Sequence, residues 1–369
     1  MYLRYIFISI LLLFITISGE YLLFITFQSL GAFKYPYVKN IILILGVLLP
    51  TMFVGAMLYG GRHFSTINTW IYTTGGIWLV VFTYLLMGVA TVLLLMLINN
   101  SFGFNLPIKL ISFILITIST LVILYGIYNA NNPRIVRMEM TSPTLAPLWQ
   151  GKKIVIISDV HLGIIRQGKF MKKVVDIMNS EKPDITFTLG DLIDGPSFPY
   201  KEGFAPISLL NPPLGNFYVE GNHEAYSEEY PIFKENLPEN LNNVTEKKVI
   251  VNDTQIIGIS YDEGRTADEI ATELSKVGYD KNIPSIILMH DPKDIPMLAK
   301  SEVSLVLSGH THKGQFFPFS ILVKMLDSKY FYGVTNTLNT MSVTSEGVGT
   351  AMTPVRIGTT PEIIVLTIK

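Results

Sequence analysis

The distribution of apolar and polar positions divides the chain near residue 131. Before that point four long apolar runs follow one another, over about 5–27, 38–59, 70–98 and 108–128. Each is at or near the ~20 residues that a helix needs to cross the hydrocarbon core of a bilayer. A cleaved signal peptide accounts for one such run, not for four. The polar breaks between them are short: Lys34, Pro36 and Lys39, then Gly60 to Arg62, then Asn99 to Asn105. Residues 1–130 are therefore expected to form a four-helix transmembrane anchor. After it the period changes. "KKIVIIS", "DITFTL", "NFYVE", "SIILM" and "VSLVL" read as short buried strands. "KFMKKVVDIMNSE" has helical spacing at Phe170, Val174, Ile177 and Met178. Strands alternating with helices predict a layered α/β domain over residues 150–369. The stretches 248–261 and beyond 330 read as antiparallel pairs, so a mixed sheet system is expected. Residues 131–149 are expected to be a linker, with "RIVRMEM" able to open the second domain as an edge strand.

Composition sharpens the division. The chain has 369 residues, 49% of them hydrophobic and 15% charged, and a mean hydropathy of +0.41. Residues 1–132 hold six charged side chains: Arg4, Glu20, Lys34, Lys39, Arg62 and Lys109. The remainder holds 23 basic and 28 acidic residues, a formal net charge of −5. An acidic polar half argues against nucleic acid as a partner. There is no cysteine, which excludes disulfides and thiolate metal sites. Glu20 lies inside the first run. A carboxylate there is a functional candidate by default, but the other charged residues in the runs, Lys39 and Lys109, stand at run ends, so it is read as neutral, paired within the bundle or lying near an interface. His63, in a short loop, is read as a solvated interfacial residue.

The chain has six histidines, and five fall in the second half. Each follows an apolar strand: "IVIISDVHLG" ends in Asp159 and His161, "FYVEGNHE" in Asn222 and His223, "IILMHDP" in His290, and "LVLSGHTH" in His310 and His312. "TFTLGDLID" adds Asp191. In open α/β sheets, ligand sites gather beyond the carboxyl ends of strands. Any one of these residues is as readily a turn residue, a cap or a hydrogen-bonded structural histidine. Together they are a set of nitrogen and oxygen donors without sulfur, suited to Mn, Fe or Zn. They are more than one ion needs, and two ions about 3.5–4 Å apart sharing a carboxylate would use them.

The ordered set "DVH", "GD", "GNHE", "MH" and "GHTH" resembles the calcineurin-like metallophosphoesterases over residues 150–369. "GDLID", "SGHTH", "GQ" and the ending "RIGTTPEIIVLTI" look most like its membrane-linked branch, the transmembrane proteins with a metallophosphoesterase domain. The resemblance implies a four-layer α/β/β/α sandwich and two divalent metal ions. It implies that Asp159, His161 and His312 hold one ion, that Asn222, His290 and His310 hold the second, and that Asp191 bridges them. It implies that His223 acts as general acid or transition-state stabiliser and is not a ligand. Lys313 departs from the branch, where glycine is common, and sets a cation beside the site that a substrate phosphate or carboxylate could meet. Arg166 and Arg265 are candidate phosphate contacts by charge alone. Glu224 is expected to orient His223 or to be solvated, and Asp194 to support a ligand or to cap a turn.

The expected function is hydrolysis of a phosphate ester or pyrophosphate bond in a small-molecule or lipid-linked substrate. The pyrophosphatases of the lipid A pathway, which act on a UDP-linked acylated sugar, share the motif set. Two other classes stand beside this one. A general phosphodiesterase or nuclease on the same fold is opposed by the acidic second half. A membrane receptor whose second half only senses metal would be favoured by a missing ligand or a missing His223, and neither is missing.

Four spans put both ends of the chain on one side. That side would carry Arg4, Arg62, Arg134 and Arg137, against Lys34, Lys39 and Lys109 on the other, which favours a cytoplasmic second half. Salt and alkaline carbonate washes are thus expected to leave the full-length chain in the membrane. Protease added to spheroplasts should leave residues 150–369 intact; their digestion while a cytoplasmic marker survives would place them outside.

Overall fold

The computed structural model describes residues 2–31, 35–59, 64–195, 199–326 and 328–369. The chain divides into two compact units, one of residues 1–128 with 352–355, the other of residues 129–351 with 356–369.

The first unit consists of α1 (Tyr2–Ser29), α2 (Pro36–Tyr59), α3 (Thr66–Phe102) and α4 (Ile108–Ala130). All four are long and apolar enough to cross a membrane. The third is longer than the apolar run suggests. Its N-terminus extends to the Ser65 cap, whose side chain accepts from Asn68 N, and Gly103 ends it in a left-handed conformation. Leu23, Phe53, Val54, Trp78, Phe82 and Val89 form the unit's core. Many outward side chains are also apolar, among them Phe14, Ile44 and Phe113, as a lipid-facing surface requires. Glu20 accepts a hydrogen bond of 2.9 Å from Trp78 Nε1, so this carboxyl has a partner inside the bundle. Lys34, Arg62 and His63 lie outside the described residues.

The second unit contains twelve described strands in two sheets. The first sheet has the order β1 (Arg134–Met140), β12 (Glu362–Ile368), β2 (Lys153–Ile157), β3 (Ile185–Leu189), β4 (Asn216–Val219), β5 (Asn242–Asn243). The second has the order β10 (Gly333–Thr337), β11 (Thr340–Thr344), β9 (Leu305–Ser308), β8 (Ser285–Leu288), β7 (Thr254–Gly258), β6 (Lys247–Val251). The pairs β6–β7 and β10–β11 are antiparallel. Strands β2, β3 and β4 run parallel to one another, as do β7, β8 and β9.

Side chains alternate between the faces of a strand, and here both faces are buried. In β2, Ile154 and Ile156 enter the core between the sheets, while Val155 and Ile157 enter an outer core with Met171, Val174, Val175 and Met178 of the helix Gly168–Ser180. Phe170 and Ile177, expected on that helix's buried stripe, are partly buried at its edge. In the second sheet Ile286, Leu288, Leu305 and Leu307 face inward. Ile287 and Val306 face Ile270 and Leu274 of the helix Ala267–Lys276 and Leu298 of the helix Ile295–Lys300. Three apolar cores between helix, sheet, sheet and helix make the four-layer sandwich. Burial on both faces is why these strands read as continuous apolar runs.

Residues 131–149 are not a linker. Strand β1 pairs in parallel with β12 over seven residues. The helix Ala146–Trp149 follows, and its Trp149 is fully buried, donating from Nε1 to Thr254 Oγ1 at 2.7 Å. The prolines and polar residues of "TSPTLAPLWQ" suggested a loop, but the large apolar side chain of Trp149 closes the core between the sheets. Trp149→Ala is expected to cost about 3–5 kcal/mol, the usual range for emptying a core tryptophan site. The check is the unfolding midpoint of the second unit in the full-length chain, which a substitution in a mere spacer would leave unmoved.

Candidate metal centre

All eight residues singled out at strand ends follow β2, β3, β4, β8 or β9, at the carboxyl ends of neighbouring parallel strands. The backbone turns sharply there. Asp159, His161, Asp191, His310 and His312 all have positive φ, between 46° and 70°. A non-glycine residue held in this region costs of order 1–3 kcal/mol, and such residues cluster where a site over-determines the backbone. The glycines of "GD" and "GN" serve close approach. A Cβ on Gly190 would lie 2.5 Å from His290 Nδ1, and one on Gly221 would overlap the Asp191 carboxylate.

The donor atoms gather in two groups. One comprises Asp159, His161 and His312, the other Asp191, His290 and His310, each with its atoms within 4.8 Å of one another. In the first, His161 Nε2 and His312 Nε2 are 2.9 Å apart, and His312 Nε2 is 3.3 Å from Asp159 Oδ1. In the second, His310 Nδ1 is 3.1 Å from His290 Nε2, which is 3.1 Å from Asp191 Oδ2. Separations near 3 Å are those of neighbouring donors on one ion bound at about 2 Å. The same Asp191 Oδ2 is 3.8 Å from His161 Nε2, so it stands between the groups. Among the described residues, Asp159 Oδ1 and Asn222 Oδ1 are buried with no hydrogen-bond partner. Orphaned buried oxygens are costly, and both belong to the expected ligand set. The donor set therefore fits divalent metal.

Hydrogen bonds aim the rings. His290 Nδ1 lies 2.7 Å from Leu189 O and His161 Nδ1 3.2 Å from Asp194 Oδ1, so donation from each Nδ1 leaves each Nε2 for the site. His223 Nδ1 lies 2.9 Å from the Asp194 carbonyl oxygen. A third cluster, of His161, Asp194 and His223, is satisfied by these bonds. Asp159 Oδ2 accepts from Ser158 Oγ and His310 N, which turns Oδ1 to the donors.

The electrostatics suit a cation. Burial alone would depress the His161 and His290 imidazoles. For His161 the Asp194 hydrogen bond and the nearby carboxylates raise it above its usual value. For His290, Asp191, Asp159 and the Leu189 carbonyl lift it to about 10. Asp191 is held well below the usual carboxylate range: burial opposes this, but His290, His223 and His161 prevail. The buried carboxylates thus favour positive charge among these donors, as a divalent cation would supply. His312 falls well below its usual value through burial, His161 and Arg356, and His310 falls through burial and His290. These two stay neutral, as metal ligation requires.

Several expectations need correction. Arg166 is no phosphate contact. It is buried, donates to Asn131 Oδ1 and Ala130 O, and lies over the Phe170 ring. The Arg265 side chain is likewise withdrawn from solvent, 3.0 Å from Glu273 Oε2 and donating to Ser260 Oγ. Lys313 does stand beside His312, with Nζ 3.7 Å from Glu346 Oε2 and 4.0 Å from the Tyr332 ring centroid. Glu224 neither orients His223 nor faces solvent. It is fully buried and accepts from the backbone N of Asp191, Ile193 and Gly221, clamping two ligand loops together. Burial and Asp191 raise its carboxyl above the usual range. Sequence reasoning missed Arg356, fully buried, which donates to Gly349 O and Glu346 O and approaches His312 Nδ1 to 3.2 Å. A lone arginine in the apolar ending was its one trace.

Removing the Asp194 carboxyl should therefore loosen His161 without touching a donor atom. Asp194→Ala is expected to weaken metal binding about 10–100-fold, the usual cost of losing such a support. Metal retained against graded chelator measures it, and unchanged retention would reduce Asp194 to a turn residue.

Residues 152–314 match the calcineurin-like phosphoesterase family, the stretch from β2 through the His310–Gly314 loop. A metallophosphoesterase of Campylobacter jejuni, itself uncharacterized, is 31% identical over 277 residues, covering 72% of each chain. One from Helicobacter pylori is 35% identical over 185 residues, covering 49% of this chain and 50% of its own, so the chain spans about half of that relative. The transmembrane protein with metallophosphoesterase domain of Danio rerio is 29% identical, covering 68% of this chain and 61% of its own. With its sandwich fold, its paired donor groups and a bacterial relative aligned over nearly three quarters of both chains, the protein belongs to the calcineurin-like metallophosphoesterase family.

Proposed function

We propose that this protein is a membrane-anchored, dinuclear metal-dependent phosphoesterase. The reading is carried by Asp191 Oδ2, 3.1 Å from His290 Nε2 and 3.8 Å from His161 Nε2, a carboxylate oxygen set between two donor groups. On this reading Asp159, His161 and His312 would hold one ion and Asn222, His290 and His310 the other, with Asp191 shared between them. Mn, Fe or Zn suits these donors. Divalent ions held there would supply Lewis-acid charge and lower the pKa of bound water.

The protein's own groups do the rest. His223 contributes no atom to either donor group of the pair. Its Nδ1 is engaged by Asp194, which leaves Nε2, 3.9 Å from Asp191 Oδ2, available for proton transfer. Its side chain is 29% exposed against 0–3% for His161, His290, Asp159 and Asp191, so it meets an arriving ester at the mouth of the site. From there Nε2 passes a proton to the leaving oxygen. Water attacks phosphorus in line, and no side-chain nucleophile is required. Lys313, partly exposed, adds a cation for a substrate phosphate or carboxylate.

The substrate we favour is a lipid-linked phosphate ester or pyrophosphate, such as a nucleotide-linked acylated sugar, hydrolysed on the cytoplasmic face. The four membrane-length helices and the arginines flanking them support this choice. The acidic second half disfavours a nuclease.

His223→Ala in the full-length chain is expected to keep its metal and to lose about 10²–10⁴-fold in turnover, the usual contribution of a general acid. Phosphomonoester, phosphodiester and nucleotide-linked lipid substrates, each with Mn, Fe and Zn, supply the assay, and elemental analysis supplies the metal count. Loss of metal comparable to a His310→Ala variant would mean that His223 is a ligand. Undiminished turnover would remove it from the chemistry.

A further inference from the structure

The loop carrying His310 and His312 runs directly into the helix Phe319–Leu326. No residue of this helix is buried. Yet Phe317, Phe319, Ile321, Leu322, Met325 and Leu326 are all large, apolar and exposed, Met325 to 77% and Leu326 to 73%. Elsewhere in the second unit such side chains are spread one or two to an element, as at Leu209, Ile232 and Ile250. Scattered apolar residues need no explanation, whereas a run of six within ten positions does. The helix is also fixed to the metal-binding loop. A Cβ on Gly314 would lie 2.5 Å from the Ser320 backbone, and the Phe316 and Phe319 rings are 5.0 Å apart.

We infer that Phe319–Leu326 lies in the interfacial layer of the bilayer and seats the His310–Gly314 loop at the membrane surface. Three observations select lipid as the occupant. The chain carries four helices of membrane-crossing length, and only residues 131–133 separate α4 from β1. The stretch 313–330 holds Lys313, Lys324 and Lys329 against one acidic residue, Asp327, so its charge suits anionic headgroups. Eight residues form a helix about 12 Å long. That strip is far smaller than the roughly 800 Å² per partner that a stable dimer buries, whereas an interfacial helix needs only its apolar face sunk about 5–10 Å. The seating stands apart from the phosphoesterase reading. If both hold, an ester in the bilayer meets the metal centre at the membrane surface.

The chain has no cysteine, so a single one can report position. Met325→Cys and Leu326→Cys, both at highly exposed sites, are each labelled in the full-length chain with an environment-sensitive fluorophore. Lys276→Cys, on the helix Ala267–Lys276, is the reference. The chains are reconstituted into phosphatidylcholine–phosphatidylglycerol vesicles containing nitroxide-labelled lipid. The labels at 325 and 326 are expected to lose most of their fluorescence while the label at 276 keeps most of its own. Quenching at 325 and 326 no greater than at 276 would overturn the inference. So would cross-linking of Met325→Cys between chains without lipid quenching, which would assign the helix to a second copy. Neither readout depends on turnover, so a failure here is distinct from a failure of the proposed activity.

Discussion

Negative charge buried at the edge of a two-sheet sandwich is the constraint to which the second unit answers. Asp159 and Asp191 are almost wholly withdrawn from solvent. A carboxylate in such a place must be paired or coordinated, or it neutralises. Here the two are ringed by imidazoles at 3.1–4.0 Å. The shifts of the histidines toward or away from protonation follow from this field. So does the chemistry: buried carboxylates ringed by imidazole nitrogens are donors suited to divalent ions.

The backbone is shaped to keep those charges there. Parallel strands in both sheets end at one edge, and left-handed turns at Asp159, Asp191 and His310 send their side chains back over it. Gly190 and Gly221 leave room for His290 and Asp191. Glu224 contributes no donor to the paired groups, yet its two oxygens gather three backbone N–H groups from the loops bearing Asp191 and Asn222. Strain at the ligands is offset by hydrogen bonds one layer behind them, the usual way a site is held in a narrow geometry.

Most of the fold was legible because burial on both faces writes itself as continuous apolar runs ending in glycine. The site was legible because five histidines sit at strand ends and nowhere else in that half. Other features were hidden for physical reasons. Arg166 and Arg265 look like phosphate contacts from their charge, but hydrogen bonds and, for Arg265, an ion pair with Glu273 already engage them. Trp149 sits among prolines and polar residues that suggest a loop, while its partner Thr254 is 105 positions away. Glu224 follows His223 directly, and adjacency in sequence suggested a shared task. On the short helix Asn222–Ala225 the two side chains have different surroundings, His223 partly exposed and Glu224 buried beneath the loops. Long-range partners of this kind leave no periodic trace.

Manganese titrated into the metal-free full-length chain, followed by electron paramagnetic resonance, tests the dinuclear centre most directly. The account predicts two ions per chain and, at saturation, the spectrum of a coupled pair at about 3.5–4 Å. Saturation at one ion, or two ions with only the six-line spectrum of isolated manganese, would contradict it, and Asp191 would then hold no more than one metal.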